Sequence, residues 1–171
     1  MEPASFLALL AACAPAVHAD TARALVAVES AFNPHAIGVV GGVLQRQPRT
    51  RAEALATARG LLSDGWNFSV GLAQINVRNF ERLGLDIDSA FEPCTNLAAM
   101  QVVLGECHER AARDQVAPQH ALRRSLSCYY SGNFSTGFRS GYVRRVVAAV
   151  RASFVADPAP ASPTPPWKEP S

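Results

Sequence analysis

The residue in this sequence whose surroundings most suggest chemistry is Glu29. It is the one carboxylate in the apolar stretch 24–34, whose periodicity predicts a helix. Because Asn33 precedes Pro34 and is biased away from helical backbone angles, we expect the helix to end about there. Glu29 therefore lies in the last turn, beside the apolar face. The apolar side chains at helical spacing are Leu25, Val28 and Phe32.

This position predicts an unusual pKa for the Glu29 carboxyl. Apolar neighbours disfavour the charged form, and the C-terminal end of a helix dipole is unfavourable for an anion. Both effects raise the pKa, and a carboxyl that stays protonated near neutral pH can act as a general acid. The alternative is a partly exposed glutamate that merely tolerates a poor position.

Two polar stretches further along the chain could form a binding site. Residues 69–76 (SVGLAQIN) combine small residues with amide side chains, which suit the hydroxyl and N-acetyl groups of a sugar. Residues 127–134 (SCYYSGNF) place two adjacent tyrosines before a glycine, and tyrosine rings can wall a cleft. The alternatives are an ordinary β-turn segment and core tyrosines at a helix end.

Composition narrows the possible classes. The 171 residues are 49% hydrophobic and 18% charged, which indicates one globular domain. A net charge of +2 gives no argument for nucleic-acid binding, and no apolar run approaches the length of a membrane span. The four histidines are scattered and no cysteine pair has the spacing of a zinc site. We therefore expect neither a metal nor a cofactor.

The pattern of elements is mainly α (α+β), with one small β element in the middle of the chain. We expect the second helix to be capped by Asp20, the third by a Thr50–Glu53 capping box, and the long central helix by Thr95. Residues 35–47 are predicted as a loop or short hairpin, and 129–141 as an irregular loop. The other predicted elements are helices at 3–13, 52–62, 119–128 and 142–154, and β structure at 66–75.

The ends of the sequence allow several interpretations. The apolar start could be a signal peptide or a lipoprotein signal ending at Cys13, but it has no positive charge before Arg23. We favour a helix of the domain itself, so that an export signal is absent from this sequence or lies upstream of it. Residues 1–155 are predicted to form the domain and 156–171 a Pro-rich disordered tail.

Two disulfides are expected among the four cysteines. Cys94 and Cys107 lie on one predicted helix about 20 Å apart, too far to be bridged. The chain folds back near Pro118, and Cys107 and Cys128 are about equally distant from that turn. This predicts Cys107–Cys128, which leaves Cys13–Cys94. The alternative is four buried free thiols.

Taken together, these segments resemble the soluble lytic transglycosylase family. Three of its motifs occur in order: Glu29-Ser30, residues 71–76 (GLAQIN) and residues 129–133 (YYSGN). The type IV secretion and conjugation branch is the most similar. Features shared with that branch are a Cys-Ala-Pro sequence at 13–15, an inserted helix at 49–64 and Pro-Cys-x-Asn-Leu at 93–97.

The resemblance implies a lysozyme-like fold and cleavage of the β-1,4 bond between N-acetylmuramic acid and N-acetylglucosamine. Glu29 would protonate the leaving oxygen and then take a proton from the muramyl C6 hydroxyl, which closes a 1,6-anhydro ring without water. No second carboxylate at a hydrolase-like separation is evident, and Asp64 is better explained as a helix stop. The implied partners are peptidoglycan strands and type IV secretion components, and the implied location is the periplasm.

The resemblance also implies roles for residues around Glu29. Ser69 and Gln74 would line the cleft, and Tyr129 would contact Glu29 or the muramyl ring. Asn76 and Asn133 would contact substrate or support the site, and Ser30 would support it. The predicted substrate-binding residues are therefore Ser69, Gln74, Asn76, Tyr129 and Asn133.

One position departs from the family pattern. Tyr130 stands where an asparagine usually follows the family tyrosine, so the role of that asparagine is open in this chain. Two other functions therefore remain as hypotheses. One is a lysozyme-type hydrolase of the same bond, and the other is a non-catalytic glycan-binding assembly factor of a secretion machine.

Overall fold

The computed structural model describes residues 3–156, which form nine α-helices and a small sheet. Residues 157–171 of the predicted tail lie outside the described residues. The helices are α1 (Pro3–Cys13), α2 (Ala19–Ser30), α3 (Arg51–Ser63), α4 (Phe80–Leu83), α5 (Ile87–Ala90), α6 (Pro93–Ala112), α7 (Pro118–Ser131), α8 (Thr136–Arg139) and α9 (Tyr142–Ala156). The strands are β1 (Ile37–Val39), β2 (Phe68–Val70) and β3 (Ile75–Asn76). The predicted mainly α class with a central β element is confirmed.

The core is built from the apolar faces of the longer helices. Helix α2 packs along α9, α6 along α7, and α1 along α6. Leu25 of α2, Leu97 of α6 and Val146 of α9 are buried in one continuous apolar cluster. Burying this surface is the main favourable contribution to folding. The cluster also fixes the end of α2 against the start of α9.

The sheet is antiparallel, with strand order β1-β2-β3. Ile37 of β1 pairs with Val70 of β2, and Ser69 of β2 pairs with Asn76 of β3. Residues 35–47, which were predicted as a loop or short hairpin, thus contain the edge strand β1. The inserted helix α3 separates β1 from its partner β2 in the sequence. The tight turn from β2 to β3 is formed by residues 71–74.

Helix α2 ends earlier than predicted. Its last residue is Ser30, and Ala31 and Phe32 follow with φ angles of 50° and 61°. The prediction that Asn33-Pro34 sets the end was wrong. The Phe32 ring meets Phe6 edge-on at 5.1 Å, and the Ser30 hydroxyl donates to the Leu72 carbonyl. These tertiary contacts offset the cost of the left-handed backbone.

Two predicted helix caps were also wrong. Helix α2 is capped by His18, whose Nδ1 accepts from the Asp20 N–H, so Asp20 lies in the first turn. Helix α6 begins at Pro93 rather than at Thr95, because proline suits the first helical turn, where no N–H donor is needed. The Thr50 cap of α3 is present, and its hydroxyl accepts from the Glu53 N–H.

Both predicted disulfides are present in the structure. Cys13–Cys94 joins the end of α1 to the start of α6, and Cys107–Cys128 joins α6 to α7, with Cα–Cα distances of 5.2 and 5.7 Å. Helix α7 continues to Ser131, and the predicted irregular loop after it contains the short helix α8. None of the helices within residues 3–156 has the length and apolar character that crossing a bilayer requires.

Candidate active site

An open cleft of about 750 Å³ lies between the end of α2, the sheet and the end of α7. It contains five of the six predicted site residues: Glu29, Ser69, Gln74, Asn76 and Tyr129. The remaining lining residues are mostly small, apolar or neutral polar: Gly38, Val39, Val40, Asn67, Ile75, Arg78, Asn79, Val103, Tyr130, Ser131 and Gly132. Among the described residues that line this cleft, Glu29 is the only carboxylate.

Burial raises the pKa of Glu29 to about 7, from an ordinary value of 4.5. Two contacts act in the opposite direction, since a hydrogen bond from Tyr142 and the positive charge of Arg145 both favour the ionised carboxylate. The net result is a carboxyl that exchanges its proton near neutral pH. Such a group can act first as an acid and then as a base.

Tyr142 is the direct partner of Glu29. Its hydroxyl donates a 2.5 Å hydrogen bond to Glu29 Oε1, and its side chain is almost completely buried at the start of α9. Tyr142 was not among the site residues predicted from the sequence. Tyr142 precedes Val146 by four positions, so the inward face of α9 indicated its burial, and a buried tyrosine hydroxyl requires a partner.

Tyr129 lines the cleft, and its hydroxyl is bonded to the backbone and not to Glu29. Its hydroxyl donates a 2.6 Å hydrogen bond to the carbonyl of Ala73 in the β2–β3 turn. Burial and the nearby charge of Glu29 hold the pKa of Tyr129 well above its ordinary range. Tyr129 is therefore a neutral hydrogen-bond donor that ties α7 to the turn.

Asn96, whose fully buried side chain belongs to α6, supports the β2–β3 turn through hydrogen bonds. Its Oδ1 accepts from the Ala73 N–H at 2.8 Å, and its Nδ2 donates to the carbonyls of Val70 and Ala90 at 3.0 and 2.8 Å. Gly71 has a φ of +80°, and a Cβ there would lie 2.3 Å from Asn96 Nδ2. The turn thus requires glycine at this position.

Gln74 closes the turn with its own side chain. Its φ is 50°, and its Nε2 donates to the carbonyls of Ala36 and Gly71 at 3.1 and 3.0 Å. A Cβ at Gly38 would lie 2.7 Å from Gln74 Oε1, so β1 approaches this amide very closely. The amide is therefore fixed at the cleft surface, and none of the described residues donates to its oxygen.

The remaining predicted site residues divide into two groups. Ser69 and Asn76 are cross-strand neighbours in the cleft, where Asn76 Nδ2 donates to Ser69 Oγ at 3.2 Å. Asn133 does not line the cleft. Its Oδ1 accepts from the N–H groups of Ser135 and Thr136, so this side chain organises the loop that leads into α8.

The described residues contain no group of three or more histidine, cysteine, aspartate or glutamate side chains placed to hold a metal ion. The cleft itself offers the carboxyl of Glu29 for proton transfer, together with neutral donors and acceptors for a polar ligand.

The mainly helical domain, with a three-stranded sheet that borders the cleft of Glu29, has the architecture expected of a lysozyme-like fold. Residues 6–144 match the model of the Transglycosylase SLT domain, and the chain belongs to this family. No solved structure gave a significant match.

Similar curated proteins carry the name virB1. The chain is 47% identical over 150 residues to the type IV secretion system protein virB1 of Brucella suis biovar 1, covering 84% of this chain and 63% of the relative. It is 39% identical over 143 residues to the protein virB1 of Agrobacterium fabrum, covering 81% and 56%. The chain thus spans about three fifths of the length of these relatives.

Proposed function

We propose that this chain is a peptidoglycan lytic transglycosylase with Glu29 as its single catalytic residue. The observation that carries the proposal is one buried carboxyl, with its pKa raised to about 7, in a cleft otherwise lined by uncharged groups and Arg78. Retaining and inverting glycosidases commonly use two carboxylates that flank the scissile bond. A single acid fits a reaction in which the substrate supplies the nucleophile.

In the first step Glu29 donates its proton to the glycosidic oxygen of N-acetylglucosamine. The bond between this oxygen and C1 of N-acetylmuramic acid breaks, and the leaving sugar departs with a neutral hydroxyl. The N-acetyl oxygen of the muramyl residue stabilises the positive charge that develops at C1. The hydrogen bond from Tyr142 stabilises the carboxylate that Glu29 becomes.

In the second step the Glu29 carboxylate removes the proton from the muramyl C6 hydroxyl. The C6 oxygen attacks C1 and closes the 1,6-anhydro ring, and Glu29 regains its proton. No water is consumed, and the enzyme returns to its starting state. Because its pKa is near neutrality, the Glu29 carboxyl can donate a proton in the first step and remove one in the second.

The neutral residues of the cleft would bind the sugars around Glu29. Ser69 and Asn76 present a hydroxyl and an amide from neighbouring strands, and Gln74 presents a fixed carbonyl oxygen to hydroxyl or N-acetyl donors. Tyr129 would support the muramyl site through the β2–β3 turn. Asn133 would act indirectly, by shaping the loop after α7.

The proposed setting is the periplasm, where the enzyme would open the cell wall for a type IV secretion or conjugation apparatus. The name of the Brucella relative, type IV secretion system protein virB1, supports the link to secretion. Two disulfides are also consistent with an oxidising compartment. Complementation would test the setting, since the exported chain should restore secretion in a host that lacks its own virB1 and the Glu29→Gln variant should not.

Product analysis tests the reaction itself. Purified peptidoglycan is digested in water enriched in heavy oxygen, and the soluble products are identified by mass spectrometry. We expect 1,6-anhydro-muramyl products that carry no label. Reducing-end products that carry the label would show a lysozyme-type hydrolase instead. A folded chain that binds glycan but releases no product would indicate the non-catalytic assembly factor.

A further inference from the structure

Tyr130, the residue that departs from the family pattern, stacks on Tyr142. The two ring centroids are 4.5 Å apart and the planes differ by 18°. Tyr142 is 1% exposed, whereas Tyr130 is 45% exposed and lines the cleft. One face of the Tyr130 ring is therefore covered by a buried ring, and the opposite face is open to the cleft.

This arrangement holds the open ring in a fixed position relative to the acid. Tyr142 is anchored at its hydroxyl by Glu29, and its ring is the surface on which Tyr130 rests. Because a stacked ring has already lost much of its rotational freedom, a ligand that packs on it pays little further conformational entropy.

We propose that Tyr130 is a sugar-binding platform, on whose open face the apolar face of a pyranose ring of the glycan strand packs next to Glu29. The inference rests on the proposed function, because it takes the glycan strand as the ligand. Sugar rings present C–H groups on one face and hydroxyls at the edge. The apolar face of the sugar ring can pack on the ring of Tyr130, and its hydroxyl edge can form hydrogen bonds with the neutral polar groups of Ser69 and Gln74.

The chemistry of the side chain at position 130 decides whether the platform exists. An asparagine there would offer an amide in place of the ring, and so could not provide the same apolar surface. Phenylalanine would keep the surface and remove only the hydroxyl, for which no hydrogen bond to a described residue is present. The two substitutions therefore separate the ring face from polar contacts.

The test measures binding in the Glu29→Gln background, where no turnover occurs. Glycan strands with their stem peptides removed are titrated by calorimetry into Glu29→Gln alone and into Glu29→Gln combined with Tyr130→Ala, Tyr130→Asn or Tyr130→Phe. Phe138→Ala is the matched control, because Phe138 is 41% exposed but does not line the cleft. Thermal denaturation verifies that each variant is folded.

We expect Tyr130→Ala and Tyr130→Asn to weaken binding about three- to tenfold, the range typical of one aromatic contact. Tyr130→Phe and Phe138→Ala should bind as the parent does. Equal binding by all folded variants would overturn the platform while leaving the proposed function standing. Failure of the Glu29→Gln parent to bind, with no turnover by the wild type, would overturn the proposed function itself.

A second measurement separates a platform from a purely positioning role. When Glu29 is left unchanged, turnover by the Tyr130 variants can be measured. Loss of a binding surface should then raise KM with little change in kcat, whereas misplacement of Tyr142 should lower kcat. If Tyr130→Ala lowers kcat and leaves both KM and the dissociation constant unchanged, Tyr130 acts through Tyr142 and the platform is wrong.

Discussion

The hydroxyl of Tyr142 donates to Oε1 of Glu29 over 2.5 Å, and these two residues are 113 positions apart in the sequence. The bond joins the last turn of α2 to the first turn of α9. It opposes the effect of burial, because it stabilises the charged form of the acid. The packing of two distant helices therefore sets the protonation of the candidate catalytic group.

Replacing Glu29 by glutamine should abolish turnover and preserve the fold. Glutamine keeps the size of the side chain and can accept a hydrogen bond from Tyr142, but it cannot donate a proton to the leaving oxygen. We expect peptidoglycan digestion to fall at least about a thousandfold, measured by release of soluble products. A Glu29→Gln variant that loses much of its thermal stability near pH 7 would instead assign Glu29 a structural role.

Activity should decline as the pH rises above about 7, because the first step requires protonated Glu29. The groups that act on Glu29 are Tyr142, Arg145 and Tyr129. Tyr142→Phe removes the bond that favours the ionised form, so the pKa of Glu29 rises and the alkaline limb of kcat/KM moves up by about one pH unit. A limb that stays in place or moves down would contradict this account of the hydrogen bond.

Glu29 should also make stability depend on pH. Its pKa is about 7 in the folded state and about 4.5 without the fold, so the folded state binds more protons between these values. The wild type therefore loses stability as the pH rises through this window. Above pH 7 we expect Glu29→Gln to be more stable by about 2 kcal/mol, a value reduced because the largely buried carboxyl borders the open cleft and is partly screened by solvent.

Denaturant unfolding at a series of pH values would measure this difference. The two proteins should converge below about pH 4, where Glu29 is protonated in both the folded and the unfolded states. A stability difference that does not change with pH would show that burial does not perturb Glu29.

Asn96 should be the side chain on which the β2–β3 turn most depends. Asn96→Ala leaves the Ala73 N–H and the carbonyls of Val70 and Ala90 without their partner in a buried site. We expect a loss of about 3 kcal/mol in the free energy of unfolding, together with reduced activity, since Gln74 is positioned by this turn.

Asn79→Ala is the matched control for this substitution. Asn79 also makes a side-chain hydrogen bond, accepting from Arg82, but that contact is exposed to solvent. Its loss should change the free energy of unfolding by no more than about 0.5 kcal/mol. Equal effects of the two substitutions in urea unfolding would refute the special role of Asn96.

Local patterns predicted much of the fold because they report burial directly. The spacing of apolar residues located the longer helices, and Thr50 with Glu53 located the start of α3. The prediction failed where a distant contact overrides local preference. Helix α2 ends at Ser30, since the contacts of Phe32 with Phe6 and of Ser30 with Leu72 stabilise a turn that local propensity does not favour.

The sequence by itself determined which carboxyl sits among apolar residues, which segments supply neutral polar groups, and which cysteines can meet. These properties follow from residue type and spacing along one element. Tertiary structure alone decided that Tyr142, rather than Tyr129, donates to Glu29, that Asn96 supports the turn, and that Tyr130 has an open face. A hydrogen bond or a stack needs two groups within a few ångströms, and residues distant in sequence are brought that close only when the core packs.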